Sequence, residues 1–113
     1  MLQFGRVGAQ AMIGGAAIVR SDVIPYALAN GPNARLTGLN IVGMKRRNFS
    51  RERIAKMRSF YMKLFRGPGL FADRLHEIRH LASSDPAIAE ILAFIDGGKH
   101  RELCQPAKTG KAA

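Results

Sequence analysis

An α+β chain is what this sequence predicts: about one coil of a parallel β-helix, then a domain of three helices. Three observations carry that expectation. Val7, Ile13 and Val19 recur every six residues, and Gly8 and Gly14 follow the first two. From residue 50 to 96 the apolar positions move to helical spacing instead. The net charge of +10 is concentrated where the two patterns meet, since residues 45–66 hold nine Lys or Arg against Glu52 alone.

The bulk composition sets the outer limits. A chain of 113 residues, 47% apolar and 23% charged, has the ratio of a globular domain. No apolar run approaches the roughly 18–20 residues needed to cross a bilayer. Met1-Leu2-Gln3-Phe4-Gly5-Arg6 lacks the apolar core of an export signal. Cys104 is the single cysteine, which excludes an intrachain disulfide and a zinc site built on several thiols. The expected setting is reducing and cytoplasmic.

Residues 1–44 are assigned to the end of the β-helix and a connecting loop. The frames begin Val7-Gly8-Ala9, Ile13-Gly14-Gly15 and Val19-Arg20-Ser21. A helix repeats apolar positions at three and four, whereas a hexapeptide repeat places one short strand and one corner in each frame. The aliphatic residue points inward, and small residues pass the corners. The same spacing would also serve a Gly-rich strand–turn–strand segment of another β fold. One coil buries its apolar face only against neighbours, so the sequence reads as the C-terminal part of a longer solenoid. Pro25, Gly31 and Pro32 then take the chain out of the repeat, and Leu36 to Met44 follow as a short apolar segment.

Residues 45–98 are assigned to the helical domain. Ser50 is a suitable N-cap, with Glu52 in the first turn where the helix dipole favours an acid. Ile54, Met57, Tyr61, Leu64 and Phe65 form the first stripe, and Gly67-Pro68-Gly69 ends that helix. Phe71, Leu75, Ile78 and Ala82 mark the second helix. Asp85 caps the third with Pro86 at its first position, and Ile88, Ile91, Leu92 and Ile95 form its stripe. Residues 99–113 are expected to be a disordered tail, with Cys104 an exposed thiol.

Several segments together resemble a known family. They are Gly8-Ala9-Gln10-Ala11-Met12-Ile13-Gly14-Gly15, Asp22-Val23-Ile24-Pro25-Tyr26, Gly31-Pro32-Asn33-Ala34-Arg35 and, above all, Asn40-Ile41-Val42-Gly43-Met44-Lys45-Arg46-Arg47-Asn48-Phe49-Ser50. Over about residues 1–96 the chain resembles the C-terminal part of the UDP-N-acetylglucosamine O-acyltransferases that start lipid A synthesis. The resemblance implies a homotrimer of left-handed parallel β-helices with active sites between subunits. It implies transfer of a 3-hydroxyacyl group from acyl carrier protein to the 3-hydroxyl of UDP-N-acetylglucosamine, with no cofactor. The implied base is a histidine in an earlier coil, so no catalytic residue is assigned here and the chain alone is not expected to catalyse. Residue by residue, the resemblance makes Gln3 a substrate-side position, Gly15 the position that limits acyl-chain length, and Asn40 a polar substrate contact. It makes Arg46 and Arg47 partners of phosphates on the sugar nucleotide or carrier. Two positions depart from the pattern: Leu2 stands where the family has histidine, and Val42 where some members carry an acid.

The residues also admit other readings. Guanidinium forks suit phosphate at Arg46 and Arg47. Arg51, Arg53, Lys56, Arg58, Lys63 and Arg66 suit either an acidic carrier protein or a solvated helix face. The alternative function is therefore a non-catalytic basic helical module that binds acyl carrier protein or another acidic partner. Nucleic acid is not expected, because no helix-turn-helix, zinc-finger or RNP-like motif accompanies the charge. His76-Glu77-Ile78-Arg79-His80 has the H-E-x-x-H spacing of zinc proteases. Arg79 would set a cation beside the metal, so no metal ligand is assigned.

Overall fold

The computed structural model describes residues 5–15, 17–98 and 102–106. Its architecture is α+β: a three-stranded sheet in the order β1-β2-β3, followed by four α-helices. The strands are β1 (Met12–Ile13), β2 (Ala27–Asn30) and β3 (Arg35–Leu39). The helices are α1 (Ile41–Arg46), α2 (Arg51–Arg66), α3 (Phe71–Ile78) and α4 (Pro86–Gly97), with a 3-10 segment at Arg79–Ser84.

The repeat region stacks two passes of chain in parallel. Val7 pairs with Val23, Met12 and Ile13 with Leu28 and Ala29, and Ile18 with Asn33. Those pairings recur every five or six residues along each pass, the period of the hexapeptide frames. Residues 23–33 therefore pair in parallel with residues 7–18, although Pro25, Gly31 and Pro32 were expected to take the chain out of the repeat. Pro25 does not prevent this, because the ladder asks no N–H of it: Val23 donates to Arg6 and accepts from Gly8 (both 2.8 Å), and Tyr26 donates to Ala9 at 3.0 Å. Gly8 is needed opposite Pro25, since a Cβ there would fall within 3 Å of the proline nitrogen and Cδ.

β2 ends at Asn30 and the chain turns at Gly31, whose φ of +98° suits glycine, before Pro32 and Ala34 close the stack by bonding Ile18. β3 then returns antiparallel to β2. The apolar segment Leu36–Met44 thus divides into a strand and a helix, and the helices begin at Ile41 rather than at residue 45. Asn40 makes the break by capping α1, its side chain accepting from the Gly43 N–H at 3.0 Å.

Among the described residues there are four α-helices where three were expected. Ser50 and Asp85 cap α2 and α4 as their positions imply, accepting from Arg53 and Ala87. The α2 stripe is buried throughout and includes Phe60, and it meets Ile88, Ile91 and Leu92 of α4 in one apolar core. Each such side chain contributes about 1.5–3 kcal/mol by leaving water. The second helix stops at Ile78, not Ala82. Beyond it the Ser83 and Ser84 hydroxyls bond back to the carbonyls of His80 and Leu81, which favours the tighter 3-10 turn.

Residues 102–106 depart from the expected disordered tail, while 99–101 and 107–113 lie outside the described residues. Residues 102–106 return to the coil: Asp22 donates to Glu102, Cys104 to Asp22, and Leu36 to Gln105. The backbone groups at Asp22 and Leu36 would otherwise line an open edge. Cys104 is consequently buried, with its thiol bonded to the Ala34 carbonyl at 3.2 Å. Burial pushes that thiol up from its ordinary value.

Candidate functional site

The site is built around α1. Asn40 is buried and joins this helix to the coil, since its Nδ2 donates to the Gln10 carbonyl at 2.9 Å while its Oδ1 caps Gly43. Gly43 has to be glycine, because a Cβ there would collide with the Asn40 side chain. At the other end of α1, Phe49 donates to Met44 and Asn48 to Lys45, both at 3.0 Å, with Asn48 at φ +66°. That is the Schellman stop, with asparagine taking the left-handed position usually held by glycine. Lys45, Arg46 and Arg47 therefore stand at the carbonyl end of a short helix capped at both ends. Cations are favoured there by the helix dipole.

All three basic residues are exposed. They take no part in the ion pairs among the described residues, which are Arg6–Asp22, Arg53–Asp85 and Arg79–Asp96. Arg53 and Lys56, further along the basic cluster, are engaged internally. Arg53 grips the buried Asp85 through two bonds of 2.8 Å, and Lys56 donates to the Ser84 carbonyl at 3.0 Å. Arg53 thereby holds the Asp85 carboxyl below the usual carboxylate range.

Behind the basic turn lies a packed group that sequence reasoning missed. The Phe49 ring lies 5.7 Å from the Tyr26 ring, and the Arg53 guanidinium sits 3.9 Å over Phe49. Tyr26, at φ +68°, donates its hydroxyl to Glu90 at 2.7 Å. Burial, then the Glu90 carboxylate, push the Tyr26 hydroxyl up to about 12. The available signal was the Tyr26–Phe49–Arg53–Asp85 set of residue types, but nothing local joins residue 26 to residue 90.

Gly15 lies elsewhere on the coil, at φ +30° and exposed, with nothing within 4 Å of a Cβ built on it. Together with Gly14, Ala17, Asn30, Gly31 and Pro32 it lines an open groove of about 440 Å³. Asn40 caps the start of α1, with both ends of its amide engaged by Gln10 and Gly43, while Arg46 and Arg47 stand at the other end of that helix, and none of the three lines the Gly15 groove. Gln3 lies outside the described residues, as does Leu2. Val42 is 60% exposed on α1. A second groove of about 450 Å³ runs between β3 and α2, with Thr37 and Gly38 on one side and Arg58, Tyr61 and Met62 on the other.

The H-E-x-x-H residues are split between two elements. His76 lies on α3, while His80 lies in the 3-10 segment with Nδ1 2.9 Å from the Glu77 carbonyl. Arg79 between them grips Asp96 at 2.7 and 3.0 Å. No described helix is long and apolar enough to cross a membrane.

Residues 22–104 match the family described as UDP-N-acetylglucosamine O-acyltransferase, domain 2. The chain is 49% identical over 90 residues to the acyl-[acyl-carrier-protein]--UDP-N-acetylglucosamine O-acyltransferase of Azorhizobium caulinodans, covering 80% of this chain and 33% of that protein. It is 44% identical over 106 residues to the protein of the same description from Paracoccus denitrificans, covering 92% of this chain and 39% of that one. The fold is similar to that of the Francisella novicida UDP-N-acetylglucosamine acyltransferase, with a TM-score of 0.84 and 30% identity across 94% of this chain and 39% of that one. The chain thus spans between a third and two fifths of the length of these relatives.

Proposed function

The chain belongs to the UDP-N-acetylglucosamine O-acyltransferase family, and from that premise we propose that it supplies the C-terminal, substrate-binding part of such an enzyme. The reaction is transfer of a 3-hydroxyacyl group from acyl carrier protein to UDP-N-acetylglucosamine, the first step of lipid A biosynthesis, in the cytoplasm. A base takes the proton of the sugar 3-hydroxyl, the freed oxygen attacks the thioester carbonyl, and the carrier thiol leaves. No histidine precedes His76 in this sequence, and no residue here is assigned the role of base.

The observation that carries the reading is the pair Arg46 and Arg47. They are exposed, outside every ion pair among the described residues, and fixed on a doubly capped helix. Two guanidinium forks on adjacent residues suit the phosphates of a sugar nucleotide or of the carrier's prosthetic group. Asn40 belongs to the same site, as does Gln3 on the substrate side. Gly15 leaves its groove open, which suits a residue whose size sets the acyl length accepted. Exposed Arg51 and Arg58 offer an acidic carrier protein a docking face.

The finer architecture is part of the proposal. The parallel stacking of residues 5–33 supports a left-handed β-helix, with the helical part following it. Met12, Ile18 and Val42 are 52%, 41% and 60% exposed, which suits coverage by neighbouring subunits of a homotrimer.

The test is a chimera in which residues 5–106 replace the matching part of the Azorhizobium caulinodans relative. Acyl transfer from acyl carrier protein to UDP-N-acetylglucosamine supports the reading. A folded chimera without turnover refutes it.

A further inference from the structure

We infer that Phe49, Arg53 and Asp85 are positioning residues, which hold the turn carrying Arg46 and Arg47 in a geometry that receives phosphate. The inference rests on the reading of Arg46 and Arg47 as phosphate contacts and adds the residues that act through them.

Phe49 is the last anchor of the α1 stop. Its N–H closes the turn on Met44 at 3.0 Å, two residues after Arg47. Its ring then fixes the direction in which the chain leaves, for it is held between the Tyr26 ring at 5.7 Å and the Arg53 guanidinium at 3.9 Å. Arg53 has little freedom of its own, because both Asp85 oxygens take its fork at 2.8 Å. Asp85 is fixed in turn, since its Oδ1 also accepts the Ala87 N–H at 2.8 Å and caps α4. A chain of contacts thus runs from the start of α4 through Asp85, Arg53 and Phe49 to the basic turn. Arg46 and Arg47 are long, exposed side chains that gain from a fixed backbone, because less freedom is lost when two forks close on one anion. The first turn of α2 is therefore not part of a diffuse basic surface at Arg53: that charge is consumed internally, and what it delivers is geometry.

Two measurements test this. The first needs no ligand: hydrogen exchange at the Asn48 and Phe49 amides, which report the turn itself. Arg53→Ala and Asp85→Asn are expected to raise exchange there by about tenfold or more while Leu64 and Ile91 amides keep their protection. Arg53→Lys, which keeps the charge but not the fork, is expected to behave like Arg53→Ala, and Phe49→Tyr, which keeps the ring, like the parent. The second is pyrophosphate affinity of the 113-residue chain, read from chemical-shift changes under conditions where every variant is folded. Arg53→Lys and Phe49→Ala are expected to weaken it by about tenfold, Phe49→Tyr to preserve it and Arg20→Ala to leave it unchanged. Unaltered exchange at Asn48 and Phe49 in Arg53→Lys and Asp85→Asn overturns the inference. So does full affinity in Arg53→Lys when Arg46→Ala and Arg47→Ala lose it. If Arg46→Ala and Arg47→Ala bind pyrophosphate as the parent does, the phosphate reading fails and the inference fails with it.

Discussion

Arg6→Ala should be among the most damaging single changes in the described part of the chain. The Asp22 side chain is 1% exposed, and Arg6 reaches it through Nε at 2.8 Å and Nη2 at 2.6 Å. The same Nη2 donates to the Phe94 carbonyl at 2.9 Å, and the guanidinium lies 4.1 Å over the Phe94 ring. One residue therefore joins the coil to the end of α4. The Asp22 backbone also exchanges bonds with Glu102 and Cys104, so the C-terminal segment hangs on the same node. Removing one partner of a buried pair costs about 3–5 kcal/mol because the other charge stays behind. Here the Arg6 side chain is 35% exposed, and the Arg6 N–H still bonds Asp22 at 2.9 Å, both of which reduce the loss. The expected loss is about 3 kcal/mol, or roughly 10–15 °C in Tm for a domain of this size. Arg6→Lys should fall between, since it keeps the charge and loses the fork. Urea unfolding followed by far-UV circular dichroism measures this directly. A loss below about 1 kcal/mol, or one no larger than for the exposed Arg20→Ala, would show that this node does not hold the two parts together.

Asp85 is held below the usual carboxylate range by Arg53, so the folded state binds its proton less readily than the unfolded state. The stability this gives is present above about pH 4 and is lost as pH falls through the lowered value. Acid titration of Asp85→Asn should accordingly show a flatter acid limb than the parent, and an identical limb would contradict the pairing. Gly8→Ala should destabilise by about 1–3 kcal/mol in thermal unfolding, because its Cβ would press on the backbone of Pro25. Cys104, buried and with its thiol pushed up, should react with an aromatic disulfide far more slowly in the folded chain than in urea. In the chimera, Gly15→Met should shift acyl preference to shorter chains, and an unchanged acyl-length profile would remove Gly15 from the acyl groove.

Much of the fold was legible because it is local. The six-residue spacing of Val7 and Ile13 matches the step at which they pair with Val23 and Ala29, and the next pairing falls at Ile18, one residue before Val19. Ser50 and Asp85 were readable as caps because capping is decided within three residues. What escaped was decided at a distance. The reversal into β3, the return of residues 102–106 and the burial of Cys104 depend on partners such as Ala34, 70 positions away from that cysteine. The site divides in the same way. Arg46 and Arg47 are adjacent in sequence and stay together, and Asn40 reaches them through one short helix. The support beneath them, from Tyr26 to Glu90 and from Arg53 to Asp85, spans 64 and 32 positions, and no periodicity reports it.

In the active chimera, KM for UDP-N-acetylglucosamine should be compared for the parent, Arg46→Ala, Arg47→Ala and Lys63→Ala. Losing a charge-assisted bond to phosphate costs about 1.5–3 kcal/mol, which corresponds to roughly 10- to 150-fold in affinity, whereas a remote solvated charge costs little. Each arginine change should therefore raise KM by at least about tenfold while Lys63→Ala moves it less than about twofold. Equal and modest effects from all three would mean diffuse electrostatic attraction, and would contradict a phosphate site at the end of α1.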